Sequence, residues 1–195
     1  MSAAQEITPS RYVDGMAPGQ ASGCSMAAAY LKPEIAYEIW GADPRAVLAW
    51  GMGPQSRAVV VDGGYLVTGK WQFASGSRHC TWLGGHCKVV ERDGSLRADA
   101  EGNPIERTML FKREVPKITD NWRVMGLRGT GSDTYEVQDL FVPDDYTVQR
   151  DLPENRQTAG TLYQFTSTHA YAGGFAGLTR NCRADLSGSR LNRDF

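Results

Sequence analysis

The sequence predicts an α+β fold, in which an antiparallel β-barrel or sandwich forms a middle domain between two helical segments. Between Ala58 and Pro143, short apolar segments alternate with glycine-marked turns, a pattern typical of closely spaced strands. On either side of this stretch the chain is richer in alanine, as closely packed helices are. The 195 residues are enough to bury one hydrophobic core, so one domain with appendages is expected.

These patterns divide the chain into three regions. Residues 1–46 are predicted to form a loose arm and the end of a helical domain, and residues 47–149 to form the β-domain. Residues 150–195 are predicted to be a linker and the start of a helical bundle. A helix that begins so near a terminus has no partner within the chain, so we expect both helical segments to be truncated. The apolar residues expected to lack a covering layer are Ile35, Ile39, Trp40 and Phe175.

The helical residues before the β-domain form two segments. Residues 22–31 (SGCSMAAAYL) are predicted to be the end of a helix, and Pro33 begins a second one. Gly41 ends the second segment, because glycine is common just after a helix. Residues 46–54 (AVLAWGMGP) are then predicted to include a buried strand.

The clearest hairpin joins the segment AVVVD to YLVTGKWQF through a turn at residues 62–64. Its two glycines are expected to accept the positive φ that matches the twist of the flanking strands. Successive side chains on a strand alternate between its two faces. The residues expected to share one face of the second strand are Tyr65, Val67, Trp71 and Phe73.

The rest of the β-domain follows the same alternation of strand and turn. Four more strands are predicted, at residues 82–91, 107–115, 117–125 and 134–143. Residues 91–104 have little to bury and are predicted to be an exposed loop, and residues 127–133 (LRGTGSD) a turn. In the last strand the apolar phase slips between Val137 and Leu140, which predicts a β-bulge, and Pro143 ends the strand.

Composition restricts the class of partner. Lys and Arg total 21 against 22 Asp and Glu, a formal net charge of -1, so neither nucleic acid nor a membrane is expected as a partner. A small molecule or another subunit is expected instead. The four cysteines, without a basic and apolar leader, indicate reduced thiols and a cytoplasmic protein.

Two histidine–cysteine pairs, at residues 79–80 and 86–87, are the candidates for metal ligands. Zinc sites usually show closer cysteine spacing, and adjacent residues on a strand point to opposite faces. We therefore predict no metal site.

Four small residues follow the aromatic end of the second hairpin strand. Trp71 and Phe73 stand just before the segment 74–77 (ASGS), which leaves room for a flat ligand to approach the backbone. The alternative is a hairpin corner that binds nothing.

Two runs in the sequence carry a family resemblance. GGYLVTGKWQFASG, followed by WRVMGLRGTGSDTYEVQDLFVP, resembles the middle domain of the acyl-CoA dehydrogenase superfamily. In that family, a strand of the form G-x-K/R-W-x-x-(S/T/A)-(S/N)-G lies along a flavin. A G-x-R-G-(S/T)-x-(S/T) segment leads into a strand that ends in V-P. With GPQSRAVVVDGGY, the resemblance covers roughly residues 22–185. It implies a flavin-binding β-domain.

Within the superfamily, FASGSRHCTWLGG is more similar to the flavin-dependent monooxygenases that hydroxylate phenols and related rings. The dehydrogenases have a T-E-P-x-(A/G)-G-S segment against the flavin, whereas MGPQSRAV lacks its glutamate and its glycine–serine pair. The resemblance therefore implies the oxygenase component of an aromatic hydroxylase. Such a component uses O2 and reduced FAD or FMN from a separate flavin reductase, acts on a small aromatic substrate, and is expected to be a homo-oligomer when complete.

Two alternatives stay open. One is an FAD-dependent acyl-CoA dehydrogenase, and the other is a non-catalytic fragment or interaction module. Because both helical segments are expected to be truncated, the chain alone is expected to be inactive.

The resemblance implies two catalytic residues. Ser75 is expected to donate a hydrogen bond near flavin N5 and so to help hold the oxygenated flavin, or else only to close its turn with the hydroxyl. His79 is expected to orient a phenol or its phenolate, or else to be a histidine of a surface turn.

The resemblance also implies where the cofactor binds. Trp71 and Phe73 are expected to form a wall beside the isoalloxazine, with the backbone of Phe73, Ala74 and Ser75 facing its polar edge. Trp71 is alternatively an aromatic residue of the core or of an interface.

A second segment is expected to face the flavin from the other side. Its residues are Met52, Gly53, Gln55 and Ser56, and the Ser56 hydroxyl could reach a phosphate or a ring oxygen. Arg128 is expected to anchor its glycine-rich turn or to reach a cofactor phosphate.

Overall fold

The computed structural model describes residues 24–43, 45–150, 152–160 and 162–164. In this part of the chain the protein is mainly β-sheet with a few short helices. The strands are β1 (Leu48–Trp50), β2 (Arg57–Val61), β3 (Gly64–Ala74), β4 (Trp82–Val90), β5 (Glu106–Lys112), β6 (Lys117–Thr119), β7 (Asp133–Pro143) and β8 (Thr147–Val148). Within the predicted regions 1–46 and 150–195, residues 1–23, where the loose arm is expected, and the residues beyond Gln164 lie outside the described residues.

The helical segments are short. One α-helical turn, α1 (Pro33–Ala36), begins at the proline and continues as a π-helical turn over Tyr37–Gly41. The 3-10 helices are Met26–Tyr30, Arg128–Thr130, Asp144–Tyr146, Pro153–Asn155 and Leu162–Gln164. No helix among the residues described here is long and apolar enough to cross a membrane.

The described strands form one mixed sheet in the order β6-β7-β3-β2-β4-β5-β8, and β1 also pairs with β4. The prediction of a purely antiparallel sheet is therefore wrong for two pairs, because β4 runs parallel to both β1 and β2. The chain reverses direction between β2 and β3 and again between β3 and β4. Strand β4 therefore runs in the same direction as β2, and it pairs with β2 rather than with β3. Strands β6 and β8 end the order, and the described ladders leave the sheet open between them.

The predicted hairpin is confirmed as β2 and β3, which pair from Arg57 with Thr68 to Val61 with Gly64. Only one turn glycine has the expected positive φ: Gly63, at 77°. Gly64 is needed for another reason, since a Cβ there would lie 2.2 Å from the carbonyl oxygen of Val142 on β7. The absence of a side chain lets two backbones approach closely.

The predicted bulge between Val137 and Leu140 is confirmed by a register shift opposite β3. Asp139 has a φ of 48°, and its N–H donates to Thr68 Oγ1 over 3.0 Å. The Thr68 hydroxyl donates in turn to Asp139 Oδ1 over 2.9 Å. This side-chain pair therefore replaces the ladder bonds that the extra residue interrupts. Strand β7 ends at Pro143, as predicted.

The main core lies on the face of the sheet that carries Trp71. The Trp71 ring stacks on Tyr135 with 5.2 Å between centroids, and it also contacts Phe111, whose centroid is 6.0 Å away. Phe111 is on β5, which is not adjacent to β3 or β7 in the sheet. The sheet therefore curves around this cluster.

A second core covers the opposite face, and the helical segment packs on it. Ile39 is 2% exposed there, beside Leu48 and Trp82, and Ile35 and Trp40 are partly buried against the same cluster. The expectation that these residues lack a covering layer is therefore wrong, because the helical turns fold onto β1 and β4 rather than project from the domain. Phe175 lies outside the described residues.

The strand predicted over residues 117–125 ends at Thr119. Beyond it, the side chain of Asn121 takes the place of the ladder: its amide donates to Thr134 Oγ1 over 2.9 Å and accepts from Thr134 N–H over 3.1 Å. The N–H of Trp122 donates to the Asp133 carboxylate. Hydrogen bonds with polar side chains therefore replace strand pairing in this segment, which forms a loop.

Candidate functional site

A cavity of about 1000 Å³ lies over the face of β3 opposite the main core. Lys70 and Gln72 project from β3 into its wall, and Lys117 and Glu136 of the neighbouring strands complete one side. Of the residues predicted to bind a cofactor, the cavity brings together Met52, Gln55, Ser56 and Phe73.

Phe73 reaches this cavity because β3 bulges near its end. Trp71 pairs with Tyr135 and Ala74 pairs with Asp133, so two residues of β3 face one of β7. Phe73 has a φ of 57° and is 56% exposed. The predicted alternation, which placed Phe73 on the same face as Trp71, is therefore wrong at this residue. A non-glycine residue at positive φ carries strain, which is typical of functional positions.

The Trp71 ring lies in the main core, on the other face of β3 from the cavity, and is fully buried. Its Nε1 donates to the carbonyl of His86 over 3.2 Å. These contacts agree with the alternative that Trp71 is a core aromatic, and Trp71 is not among the residues that line the cavity. Ala74 is also fully buried and does not line the cavity.

The segment before β2 is held against β3 by its backbone. Met52 N–H donates to the Gln72 carbonyl over 2.8 Å, and Gln72 N–H donates to the Met52 carbonyl over 2.9 Å. The Met52 side chain stays exposed at the edge of the cavity. The predicted segment is therefore anchored beside Phe73.

Gly53 and Ser56 of this segment lie close to each other and to the Trp71 ring. A Cβ at Gly53 would lie 2.3 Å from Trp71 Cδ1, so glycine is required by the close approach of the indole. Ser56 is 2% exposed, and its Oγ has no hydrogen-bond partner in the part of the chain that the structure describes. A buried hydroxyl without a partner is unfavourable, which favours a ligand group at this position.

Two lysines share one carboxylate on the cavity wall. Lys117 Nζ lies 3.3 Å and Lys70 Nζ 3.8 Å from the Glu136 carboxylate. The group carries one net positive charge, because two ammonium groups face a single carboxylate. The wall therefore favours an anionic ligand group.

Ser75 follows β3, and its hydroxyl is held by the opposite turn. Ser75 Oγ lies 2.8 Å from Ser132 Oγ, which lies 2.7 Å from Thr130 Oγ1. Gly76 N–H also donates to the Thr130 carbonyl over 2.9 Å. The predicted turn after β3 is therefore bonded to the turn before β7, and Ser75 stands where they meet.

An ion pair clamps these two turns. Arg78 Nε and Nη2 donate to the two carboxylate oxygens of Asp133, over 2.7 and 3.0 Å. The Arg78 side chain also packs over Gly131, where a Cβ would lie 2.7 Å from its Cδ. Arg78 therefore anchors the glycine-rich turn, which is one of the two roles predicted for Arg128. Arg128 is exposed, and its phosphate contact stays a prediction.

His79 is exposed on the turn after β3 and is not among the cavity-lining residues. Its role toward a phenol stays a prediction. His86 is partly buried, with Nδ1 2.8 Å from Thr108 Oγ1 and its ring edge-on to Trp50. Burial, assisted by the charge of Arg150, lowers the pKa of His86 to about 3, so the ring is neutral at physiological pH. Within the described ranges, no three histidine, cysteine or acidic residues are grouped so that they could hold a metal ion.

Sequence analysis missed residues that shape the site from the 120–133 loop. Trp122 packs edge-on to Phe73 with 6.1 Å between centroids, and its Nε1 donates to the Leu127 carbonyl over 2.9 Å. The Ser132 hydroxyl contacts Ser75, and the Thr130 hydroxyl contacts Ser132. The only sequence signal was the polar, glycine-rich composition of LRGTGSD, which indicates a turn but not its partner.

No family model matches the chain. Among curated proteins, it is 40% identical over 107 residues to the flavin-dependent monooxygenase oxygenase subunit HsaA of Mycobacterium tuberculosis, covering 54% of this chain and 25% of that protein. It is 33% identical over 129 residues to the oxygenase component of an FADH2-dependent resorcinol hydroxylase of a Rhizobium species, covering 66% of this chain and 30% of that protein.

Among solved structures, the crystal structure of 3-HSA hydroxylase from Rhodococcus sp. RHA1 superposes with a TM-score of 0.73 at 26% identity. The match covers 94% of this chain and 49% of that one. The chain thus spans from about a quarter to about half the length of these proteins.

Proposed function

We propose that this chain, a homologue of part of the oxygenase components of flavin-dependent aromatic hydroxylases, forms the flavin-binding layer of such an oxygenase. The observation that carries the proposal is the side chain of Phe73, which the β-bulge turns out into a cavity beside Met52, Gln55 and Ser56. An exposed aromatic ring next to polar groups suits a flat, heteroaromatic ligand.

The residues around the cavity fit a flavin. The Phe73 ring and the Met52 side chain offer apolar contact to an isoalloxazine. Gln55 and Gln72 carry amides that can donate or accept at the polar edge of the ring. The unpartnered Ser56 hydroxyl supports the same assignment, because a ligand oxygen or nitrogen would satisfy it. Lys70 and Lys117 would attract the phosphate of FMN or FAD.

Bound reduced flavin supplies the electrons and the oxygen chemistry of a monooxygenase. This chain's own residues orient and surround it. Phe73 supports the ring, and Trp122 holds Phe73 in place by its edge contact. Ser75 presents its hydroxyl at the end of β3, and the pairing of Arg78 with Asp133 fixes the turn that carries it. His79 orients the aromatic substrate from the adjoining turn.

Further features of the whole protein belong to the same proposal. Residues 47–149 form a barrel-like middle domain in the complete subunit, and a separate flavin reductase supplies the reduced cofactor. The subunit assembles as a homo-oligomer, to which exposed side chains such as Met125 and Leu127 offer apolar surface. A cytoplasmic location accords with the unpaired, buried thiols of Cys24, Cys80 and Cys87.

Replacing Phe73 by alanine tests the proposed cavity. Anaerobic titration with reduced FAD and reduced FMN, followed by quenching of tryptophan fluorescence, is expected to show binding by the unmodified protein. Phe73→Ala should raise the Kd about two- to thirteenfold, because one aromatic contact contributes about 0.5–1.5 kcal/mol.

Phe141→Ala is the matched control. Phe141 is 48% exposed on β7, where it pairs with Leu66 near the other end of β3. Its replacement should leave the Kd unchanged. If both variants weaken binding equally, or if the unmodified protein binds neither flavin, the proposed site is wrong.

A further inference from the structure

The hydroxyl of Tyr135 joins two backbone segments inside the main core. Tyr135 is fully buried, and its hydroxyl accepts from Gly51 N–H over 3.2 Å and donates to the Gly84 carbonyl. Both directions are fixed, because an amide N–H can only donate and a carbonyl oxygen can only accept. The single hydroxyl hydrogen therefore points to Gly84, and a lone pair of the oxygen faces Gly51.

Gly51 lies where the chain changes its partner in the sheet. Strand β1 ends its pairing with β4 at Trp50, and the residue after Gly51, Met52, pairs with Gln72 of β3. A Cβ at Gly51 would lie 2.4 Å from the Gln72 carbonyl oxygen, so the crossing requires glycine. Between the two ladders, the Tyr135 hydroxyl is the acceptor for Gly51 N–H.

The curvature of the sheet brings this hydroxyl to the crossing. Tyr135 is on β7, which is not a neighbour of β1 or β4 in the strand order. Its ring stacks on Trp71 and so extends through the core beneath β3. Burial raises the pKa of Tyr135 well above its ordinary value, so the hydroxyl keeps its hydrogen and both bonds persist at physiological pH.

We infer that Tyr135 is a positioning residue for the flavin site, because its hydroxyl fixes the backbone at Gly51 and thereby the cavity-lining segment 52–56 that follows. This inference rests on the proposed function. Tyr135 does not line the cavity, so it acts through the segment and not on the ligand. The two backbone bonds between Met52 and Gln72 hold the segment at one residue, about which it could still tilt. A bond one residue earlier removes that freedom.

Replacing Tyr135 by phenylalanine tests the inference, since it removes the hydroxyl and keeps the ring that stacks on Trp71. Gly51 N–H then loses its acceptor. The Kd for reduced FAD, titrated anaerobically, should rise about two- to thirteenfold, the scale of one net hydrogen bond. In the protein without flavin, hydrogen–deuterium exchange should become faster in residues 51–56 and stay unchanged in the β2–β3 hairpin.

Two controls separate positioning from stability. Val148→Ala shortens a buried side chain of the second core, so it should lower the urea midpoint but leave the Kd and the exchange of residues 51–56 unchanged. Tyr146→Phe removes a tyrosine hydroxyl that donates to Glu38 away from the crossing, and it should leave both quantities unchanged.

The outcomes distinguish the inference from the proposed function. If Tyr135→Phe leaves the Kd unchanged, or if exchange becomes equally faster in residues 51–56 and in the hairpin, the inference is wrong while the proposed function stands. If the unmodified protein does not bind reduced FAD, both are wrong.

A further measurement needs no variant, so it applies even if Tyr135→Phe does not fold. In the unmodified protein, NMR should show that the Gly51 amide exchanges as slowly as an amide within a strand, because its N–H is buried and hydrogen-bonded. A Gly51 amide that exchanges as fast as those of the exposed loop at residues 91–104 would contradict the inference.

Discussion

Replacing Trp71 by alanine is expected to lower the free energy of unfolding by about 3–5 kcal/mol, the range for a fully buried tryptophan. The ring contacts Tyr135 and Phe111, and its Nε1 donates to His86. The backbone also closes tightly around it, since a Cβ at Gly85 would lie 2.5 Å from Trp71 Cζ2. Neighbours held in a sheet cannot collapse into the space, so most of the cavity would remain. Such a loss is a large share of the stability of an ordinary domain.

Urea unfolding followed by circular dichroism measures this loss. Trp71→Phe should cost less, because it keeps an aromatic ring and loses only part of the volume and the N–H. Met125→Ala is the control, since Met125 is fully exposed and its replacement should change the midpoint little. A Trp71→Ala protein with an unchanged midpoint would show that Trp71 is not at the centre of the core.

Asp133→Asn should give the second largest effect, a loss of about 2 kcal/mol, the scale for hydrogen bonds to a charged group. Asp133 is 2% exposed and accepts from Arg78 and from Trp122 N–H. Asparagine keeps the shape, but its amide nitrogen cannot accept from one of these donors. Asp120→Asn is the matched control, because Asp120 also pairs with Arg78 but its side chain is 64% exposed. That variant should change the unfolding midpoint much less.

The same carboxylate predicts a pH dependence. Burial alone would raise the pKa of Asp133, but hydrogen bonds from Arg78 and Trp122 and the charge of Arg78 outweigh it and hold the pKa below its ordinary value. A pKa depressed in the folded state contributes stability above the unfolded pKa of about 3.9, and this contribution is lost as the pH falls through the folded value. The difference in unfolding free energy between the unmodified protein and Asp133→Asn should therefore shrink below about pH 4. A difference that stays constant from pH 7 to pH 3 would contradict the assignment.

Local pattern was sufficient to predict the hairpin and the bulge. The β2–β3 turn follows from two glycines between apolar segments of period two, and the bulge of β7 follows from a slip in that period at Val137. Both signals lie within a few residues along the chain. The cavity-lining residues Met52, Gln55 and Ser56 were predicted from the resemblance, which carries information that the local pattern lacks.

Features that depend on distant partners could not be predicted in this way. The exposure of Phe73 depends on a second bulge, which lies near the end of β3. The pairing of β3 with β7 sets this bulge, and the apolar pattern of β3 shows no change there. Asn121 replaces strand pairing through a side chain, which period analysis cannot detect. The contact between Ser75 and Ser132 joins positions 57 residues apart. Only the folded sheet brings such pairs together.

Hydrogen–deuterium exchange of the purified protein, with and without anaerobic reduced FAD, shows where reduced flavin binds. The proposed site is the cavity between the segment before β2 and the bulged end of β3. Binding should slow amide exchange in residues 51–56 and 72–77 and leave the exposed loop at residues 91–104 unchanged. Saturating reduced FAD that protects other segments, or that leaves exchange in both of these segments unchanged, would contradict the account.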